Sequence, residues 1–261
     1  MERNKNTFGM QRLGRARRFS RHKGCYKKGS GDSMNAAEAV PFERTKAYDL
    51  LMGLPLGAWF GWGVWREAPP IVAHLNAIAN GTENFLGFLQ FVALMASVVF
   101  SLILIALLFV RTVPRAKAQG IVPRLAAVLG TFLGTAFLLL PAHQLPVWLQ
   151  TLADAMIIAG TVSCVLVILR LGKAFAIMPE ARELVTSGPY AIVRHPLYVA
   201  EELGVWGMVI QFAGPLAFAL LLGRLTLQIT RTVFEERVLA ATFPQYEEYR
   251  ARTWRFIPGL I

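Results

Sequence analysis

Cysteine is nearly absent from this chain. Cys25 and Cys164 are the only two in 261 residues, one in a basic tail and one in an apolar run, so neither a disulfide framework nor a cysteine metal site can be built from them. Charge is scarce as well: 16% of residues are charged against 55% hydrophobic, and mean hydropathy is +0.46, which excludes an ordinary soluble domain. Acids are outnumbered, with 16 Asp and Glu against 27 Lys and Arg and a net charge of +11. The basic residues collect at the N-terminus and in loops beside apolar runs, a placement that suits anionic lipid and a cytoplasmic membrane face better than nucleic acid. Neither a nucleic-acid partner nor a metal is therefore expected. No internal repeat is visible, and no apolar signal-peptide core follows Arg17-Arg18, so that pair is not read as an export signal.

What is present is organised along a membrane. Residues 1–46 hold twelve Lys or Arg against four acids among Gly, Ser and Asn, and read as a disordered basic cytoplasmic tail; Met34 offers an alternative start within it. Residues 47–169 read as four transmembrane helices. The first covers residues 48–65, softened by Pro55, and residues 66–84 are expected as an outside loop with a short amphipathic piece. Residues 85–110 are the clearest span, long enough at 1.5 Å per residue to cross about 30 Å of hydrocarbon. Arg111, Arg115, Lys117 and Arg124 follow without an intervening acid, which puts that loop inside. Residues 125–140 and 149–169 form the third and fourth spans, joined outside by PAHQLPVW. Residues 170–261 form a last region in which 33 mostly apolar residues, 198–230, break at Ala213-Gly214-Pro215 into a helical hairpin. The expected fold is an all-α, polytopic membrane bundle of about six hydrophobic helices, the last two a short hairpin. Both termini are expected in the cytoplasm, in a bacterial inner membrane.

Two polar clusters interrupt this apolar chain. In LVTSGPYAIVRHPLYVAEEL, residues 184–203, Pro196 is suited to start a helix, since its missing N–H would be unpaired there in any case. His195 then sits at the cap, and the free amides behind it form an anion site that suits a carboxylate. Glu201 and Glu202 fall in the first turns, where acids suit the helix dipole. One helix further on, Arg224, Gln228, Arg231 and Glu235 are spaced four, three and four apart, which places them on one face that should line a cavity. Arg231 and Glu235 could equally pair with each other.

These blocks carry a resemblance. LVTSGPYAIVRHPLY, followed after a hairpin by RTVFEERVLAATFPQYEEYRARTWRFIP, resembles the isoprenylcysteine carboxyl methyltransferase family, whose wider group includes phospholipid N-methyltransferases. The shared signals are GPY, RHPxY, EE and FxxYxxY in order, over roughly residues 160–258. The resemblance implies a transferase with an S-adenosylmethionine site built from both blocks. Arg182, Glu183, Leu184 and Val185 match the stretch lining the cofactor, Tyr190 the tyrosine of the turn, and His195, Pro196, Leu197 and Tyr198 the RHPxY contacts. Glu235 matches the glutamate holding the cofactor, and Arg231 the arginine facing the substrate carboxylate. Pro244 departs from a frequent Gly, and Glu201-Glu202 stand where many relatives are uncharged.

The reaction so implied is carboxyl O-methylation of a lipophilic acceptor, a prenylated cysteine or a lipid, in the manner of a protein-S-isoprenylcysteine carboxyl O-methyltransferase. An ionised carboxylate, with a reference pKa of about 4, needs no general base to act as nucleophile. Three alternatives stay open: a phospholipid or small-thiol methyltransferase, a sterol-reductase-like NADPH enzyme, and a non-enzymatic membrane scaffold.

Overall fold

The computed structural model describes residues 45–141 and 143–260; the basic tail expected at residues 1–46 lies, up to position 44, outside them. Seven α-helices are described: α1 (Lys46–Ala79), α2 (Phe85–Val110), α3 (Ile121–Phe132), α4 (Val147–Leu171), α5 (Pro196–Gln211), α6 (Pro215–Thr242) and the short α7 (Tyr246–Ala251). The only sheet among the described residues is a two-residue antiparallel pair, β1 (Ala116–Lys117) with β2 (Glu180–Ala181). The protein is a helical membrane bundle. Helices α2 and α6, and α4 with the turn that follows it, are long and apolar enough to cross a membrane.

One expectation is corrected. Residues 66–84 are not a loop, because α1 continues unbroken to Ala79 through Pro55, Pro69 and Pro70. The charged Arg66-Glu67 step ends an apolar window without ending a helix: Glu67 accepts the Ser97 hydroxyl at 2.8 Å, and α1 packs along α2. The third span also differs, as α3 tightens after Phe132 into a 3₁₀ turn, Leu133–Leu139. The break at Ala213-Gly214-Pro215 falls as expected, with Pro215 opening α6, which at 28 residues is the longer arm.

α5 packs mainly on α4. The approach is close because both helices present glycine: a Cβ on Gly160 would lie 2.4 Å from the Gly204 amide nitrogen, and one on Gly207 would lie 2.6 Å from the Ala153 carbonyl. No real Cβ tolerates such distances, so G160V must force α4 and α5 apart. The expected loss is about 1–3 kcal/mol, checked by thermal melting in detergent; an unchanged melt would contradict this packing.

The core lies in patches. Phe137, Val205, Val209, Ala217 and Leu221 fill the far half of the bundle, and Leu104, Leu107, Ile168 and Phe175 the near half. A third patch, Ala181, Phe243, Tyr246 and Tyr249, seats α7 against β2 at the end where the polar segments gather.

Candidate active site

Two cavities meet at that end. The first is a narrow polar slot of about 70 Å³ between the 180–185 segment, the start of α5, the middle of α6 and α7. The second is an apolar cavity of about 340 Å³ between α2, α4, α5 and α6, walled by residues such as Phe100, Leu104, Ile157 and Met208. Leu197 and Arg231 stand in the walls of both.

The start of α5 is built as its sequence suggests. His195 is the N-cap and Pro196 the first helical residue. Val199 is the first amide to reach back to a helical acceptor, at His195 O, 3.3 Å away, which leaves the amides of Leu197 and Tyr198, both slot residues, ahead of the ladder. The ring of His195 is stacked on Tyr198 at 5.5 Å, and its Nε2 lies 3.0 Å from Glu236 Oε1.

Glu236 is the hub that sequence reasoning missed in favour of its neighbour. Arg194 Nε donates to Glu236 Oε1 at 3.0 Å, and Arg255 donates to both carboxylate oxygens, at 3.1 and 2.7 Å. Arg255 gains basicity mainly from that hydrogen bonding. The C-terminal segment is strapped on by backbone as well: Arg194 N donates to Trp254 O at 2.7 Å, Trp254 N to Ile192 O at 3.1 Å, and His195 N to Arg255 O at 3.1 Å. The signal for Glu236 was the paired acid in FEER together with unplaced arginines at 194 and 255.

Glu235 turns into the slot and accepts the Tyr198 hydroxyl at 2.9 Å. Arg231 lies above the ring of the same tyrosine, 5.1 Å from its centroid. No ion pair joins Arg231 to Glu235; Tyr198 stands between them. Arg231 is only 8% exposed, and its Nε has no hydrogen-bond partner among the described residues. The Tyr246 hydroxyl, in the wall of the same slot, is also buried without one. Beside it, Tyr249 donates to the Tyr190 carbonyl at 2.7 Å, and burial pushes its phenol up to about 12. Tyr246 and Tyr249 are the tyrosines of FxxYxxY.

Of the residues expected at a cofactor site, Glu183, Leu184, Val185, Tyr190, His195, Leu197, Tyr198, Arg231 and Glu235 all line the slot. Arg182 and Pro196 do not. Arg182 is turned away and locked, donating to Asp49 Oδ1 and Glu180 Oε2 at 2.7 Å each and to the Thr112 carbonyl. Arg111 completes this buried cluster by donating to Asp49 at 2.9 Å. Pro196 is buried as the first residue of α5.

Glu201 and Glu202 do not serve the dipole of α5, since neither is in its first turn. They reach across to α6, where Arg224 donates to Glu201 at 2.9 Å and to Glu202 at 3.1 Å, and Gln228 donates to Glu201 at 3.0 Å. The stripe read from the spacing is therefore real but divided. Its first half, Arg224 and Gln228, holds the α5 acids, and its second half, Arg231 and Glu235, faces the slot. Glu201, Arg224 and Arg231 are the charged groups in the wall of the apolar cavity.

Residues 148–246, from the start of α4 to the start of α7, match the family model of phospholipid methyltransferases. Both cavities draw most of their walls from this segment. The chain is also similar to two curated bacterial proteins: it is 44% identical over 80 residues to the cobalt-zinc-cadmium resistance protein CzcN of Cupriavidus metallidurans, and 34% identical over 82 residues to the nickel-cobalt-cadmium resistance protein NccN of Alcaligenes xylosoxydans. These stretches cover 30% and 31% of this chain, and the chain spans little more than a third of the length of these relatives, 36% and 38%.

Proposed function

We propose that the chain is an S-adenosylmethionine-dependent membrane methyltransferase that methylates the carboxylate of a lipophilic acceptor, in the manner of an isoprenylcysteine carboxyl O-methyltransferase. The observation that carries this reading is Arg231, a buried guanidinium with no ion-pair partner among the described residues, standing between a polar slot and an apolar cavity. A buried charge without a partner is costly, and an anion delivered by a ligand removes the cost.

The slot suits the amino-acid end of the cofactor. Glu235 offers a carboxylate to an ammonium, while the unpartnered Tyr246 hydroxyl and the free amides at the start of α5 offer donors to a carboxylate. When bound, S-adenosylmethionine supplies a methyl group on an electrophilic sulfonium. Arg231 would hold the acceptor carboxylate by a forked pair of hydrogen bonds, and the apolar cavity would hold its hydrocarbon tail and exclude water. Alignment of this kind can supply several kcal/mol. At about 70 Å³ the slot is smaller than the roughly 300–1,000 Å³ usual for ligand sites, so the 180–185 segment must part from α6 and α7 to admit a nucleoside.

The test is binding of S-adenosylmethionine to purified protein beside E235Q and H195A. The expected result is saturable binding, weakened roughly tenfold or more in each variant, together with a change in amide exchange at residues 180–190. Absence of binding by folded wild type sinks the reading. One observation favours a second acceptor class: Glu201 stands in the cavity wall, held by Arg224 and Gln228 through Oε2, and its other carboxylate oxygen suits an amine head group, as in phospholipid N-methylation. Labelled methyl groups recovered in choline-type lipids would decide for it. Any link to the metal resistance for which the two relatives are named would run through the methylated product, since capping a carboxylate removes a cation ligand from the envelope.

A further inference from the structure

The bundle has a third cavity, which shares Glu180 with the slot and Ile177 with the apolar cavity but is not lined by Arg231. α1 packs on α2 and α3 packs on α6, and between α1 and α3 a space of about 470 Å³ is left. Phe132 stands in its wall and meets the Trp59 ring edge-on at 5.0 Å. Its side walls are Leu56 and Val128, and the neighbouring faces of both helices carry exposed Leu51, Met52, Leu125 and Leu129, so the groove opens sideways onto the apolar surface. From Arg124 at its mouth to Phe132 is about 12 Å along α3.

The mouth is cationic. The two acids in the wall are already taken, Asp49 by Arg111 and Arg182 and Glu180 by Arg182, at 2.7–2.9 Å. Lys117 approaches Glu180 only to 3.7 Å and is 39% exposed, and Arg124 makes no ion pair among the described residues. Arg124, with no ion pair among the described residues, and Lys117, which shares Glu180 with Arg182 and lies 5.2 Å from the Tyr48 ring centroid, leave an excess of positive charge at one end of an apolar groove between membrane helices. The neighbours available to such a groove are lipids, and its charge selects among them.

We propose that this groove is a binding site for an anionic glycerophospholipid, its phosphate against Lys117 and Arg124 and one acyl chain along Leu56, Val128 and Phe132. The site lies almost wholly outside the matched segment and does not depend on the methyl-transfer reading. By the charge bias of the 111–124 loop, it draws on the inner leaflet.

The test is native mass spectrometry of the full chain released from detergent, with phosphatidylglycerol, phosphatidylcholine and glycerol 3-phosphate as probes. Wild type should retain phosphatidylglycerol roughly tenfold better than phosphatidylcholine. The K117Q/R124Q double variant should lose that preference, and V128W, which fills the groove and keeps both cations, should lose retention; L56W serves if V128W does not fold. Equal retention of the two lipids by wild type, undiminished retention by the groove-filling variant, or displacement by glycerol 3-phosphate at equal concentration would each overturn the proposal. The last outcome would mark a phosphate site with no lipid specificity.

Discussion

Glu236→Ala should loosen the polar end of the molecule before the membrane helices melt. Arg194, His195 and Arg255 converge on that one carboxylate, which is itself buried. Removing one member of a buried charge cluster leaves the others unpaired, at about 3–5 kcal/mol. Among the described residues the C-terminal segment is held by few other polar contacts: the backbone bonds between residues 192–195 and 254–255, two from Arg194 to the carbonyls of Arg250 and Thr253, and the Tyr249 hydroxyl on the Tyr190 carbonyl. Without the carboxylate, Arg194 loses the anchor that aims it at those carbonyls. Limited trypsin digestion should therefore cut at Arg250, Arg252 and Arg255 in the variant under conditions that spare wild type, with little change in total helix content. Glu235→Ala, one residue earlier, should leave the digestion pattern alone, because Glu235 accepts only the Tyr198 hydroxyl. Equal sensitivity of the two variants would refute the division of labour between these glutamates.

That division also marks where reading the chain alone stops. Local signals carry far: the His195-Pro196 cap, the Ala213-Gly214-Pro215 break and the stripe Arg224, Gln228, Arg231 all follow from the φ restriction of proline and the helical period, and all stand in the fold. Helix extent is less legible. Arg66-Glu67 and Pro69-Pro70 resemble a helix end because charge and proline commonly mark one, yet α1 runs on past them, packed along α2, where Glu67 accepts from Ser97 of the other helix. Partner choice over long separations is not legible at all. Arg182 belongs by position to the stretch that the resemblance assigns to the cofactor, but its guanidinium finds Asp49, 133 residues away. Two adjacent glutamates on α6 differ by 100° around the axis, and only the packing of α5 and the C-terminal strap decides which faces the slot and which is buried among arginines.

The strongest test of the chemistry is Arg231→Lys. A lysine keeps the charge but replaces the planar fork with a point charge, and it changes the cation–π contact with Tyr198, where the guanidinium lies 5.1 Å from the ring centroid. If Arg231 grips an acceptor carboxylate, methyl transfer to a farnesylcysteine analogue should fall roughly a hundredfold in kcat/KM, about 2.7 kcal/mol of transition-state stabilisation. Binding of S-adenosylmethionine should change by only a few-fold, because Glu235, Tyr246 and the α5 amides remain. Arg231→Met, which removes the charge from a site lined by Phe100, Leu104 and Met208, should go further in rate and yet fold, since a buried cation without an ion-pair partner contributes little to the stability of the free protein. Loss of cofactor binding in step with the rate would move Arg231 into the cofactor's grip. An unchanged rate with both substitutions would remove the carboxylate from the reading and leave the acid of the same cavity, Glu201, to recruit an amine instead.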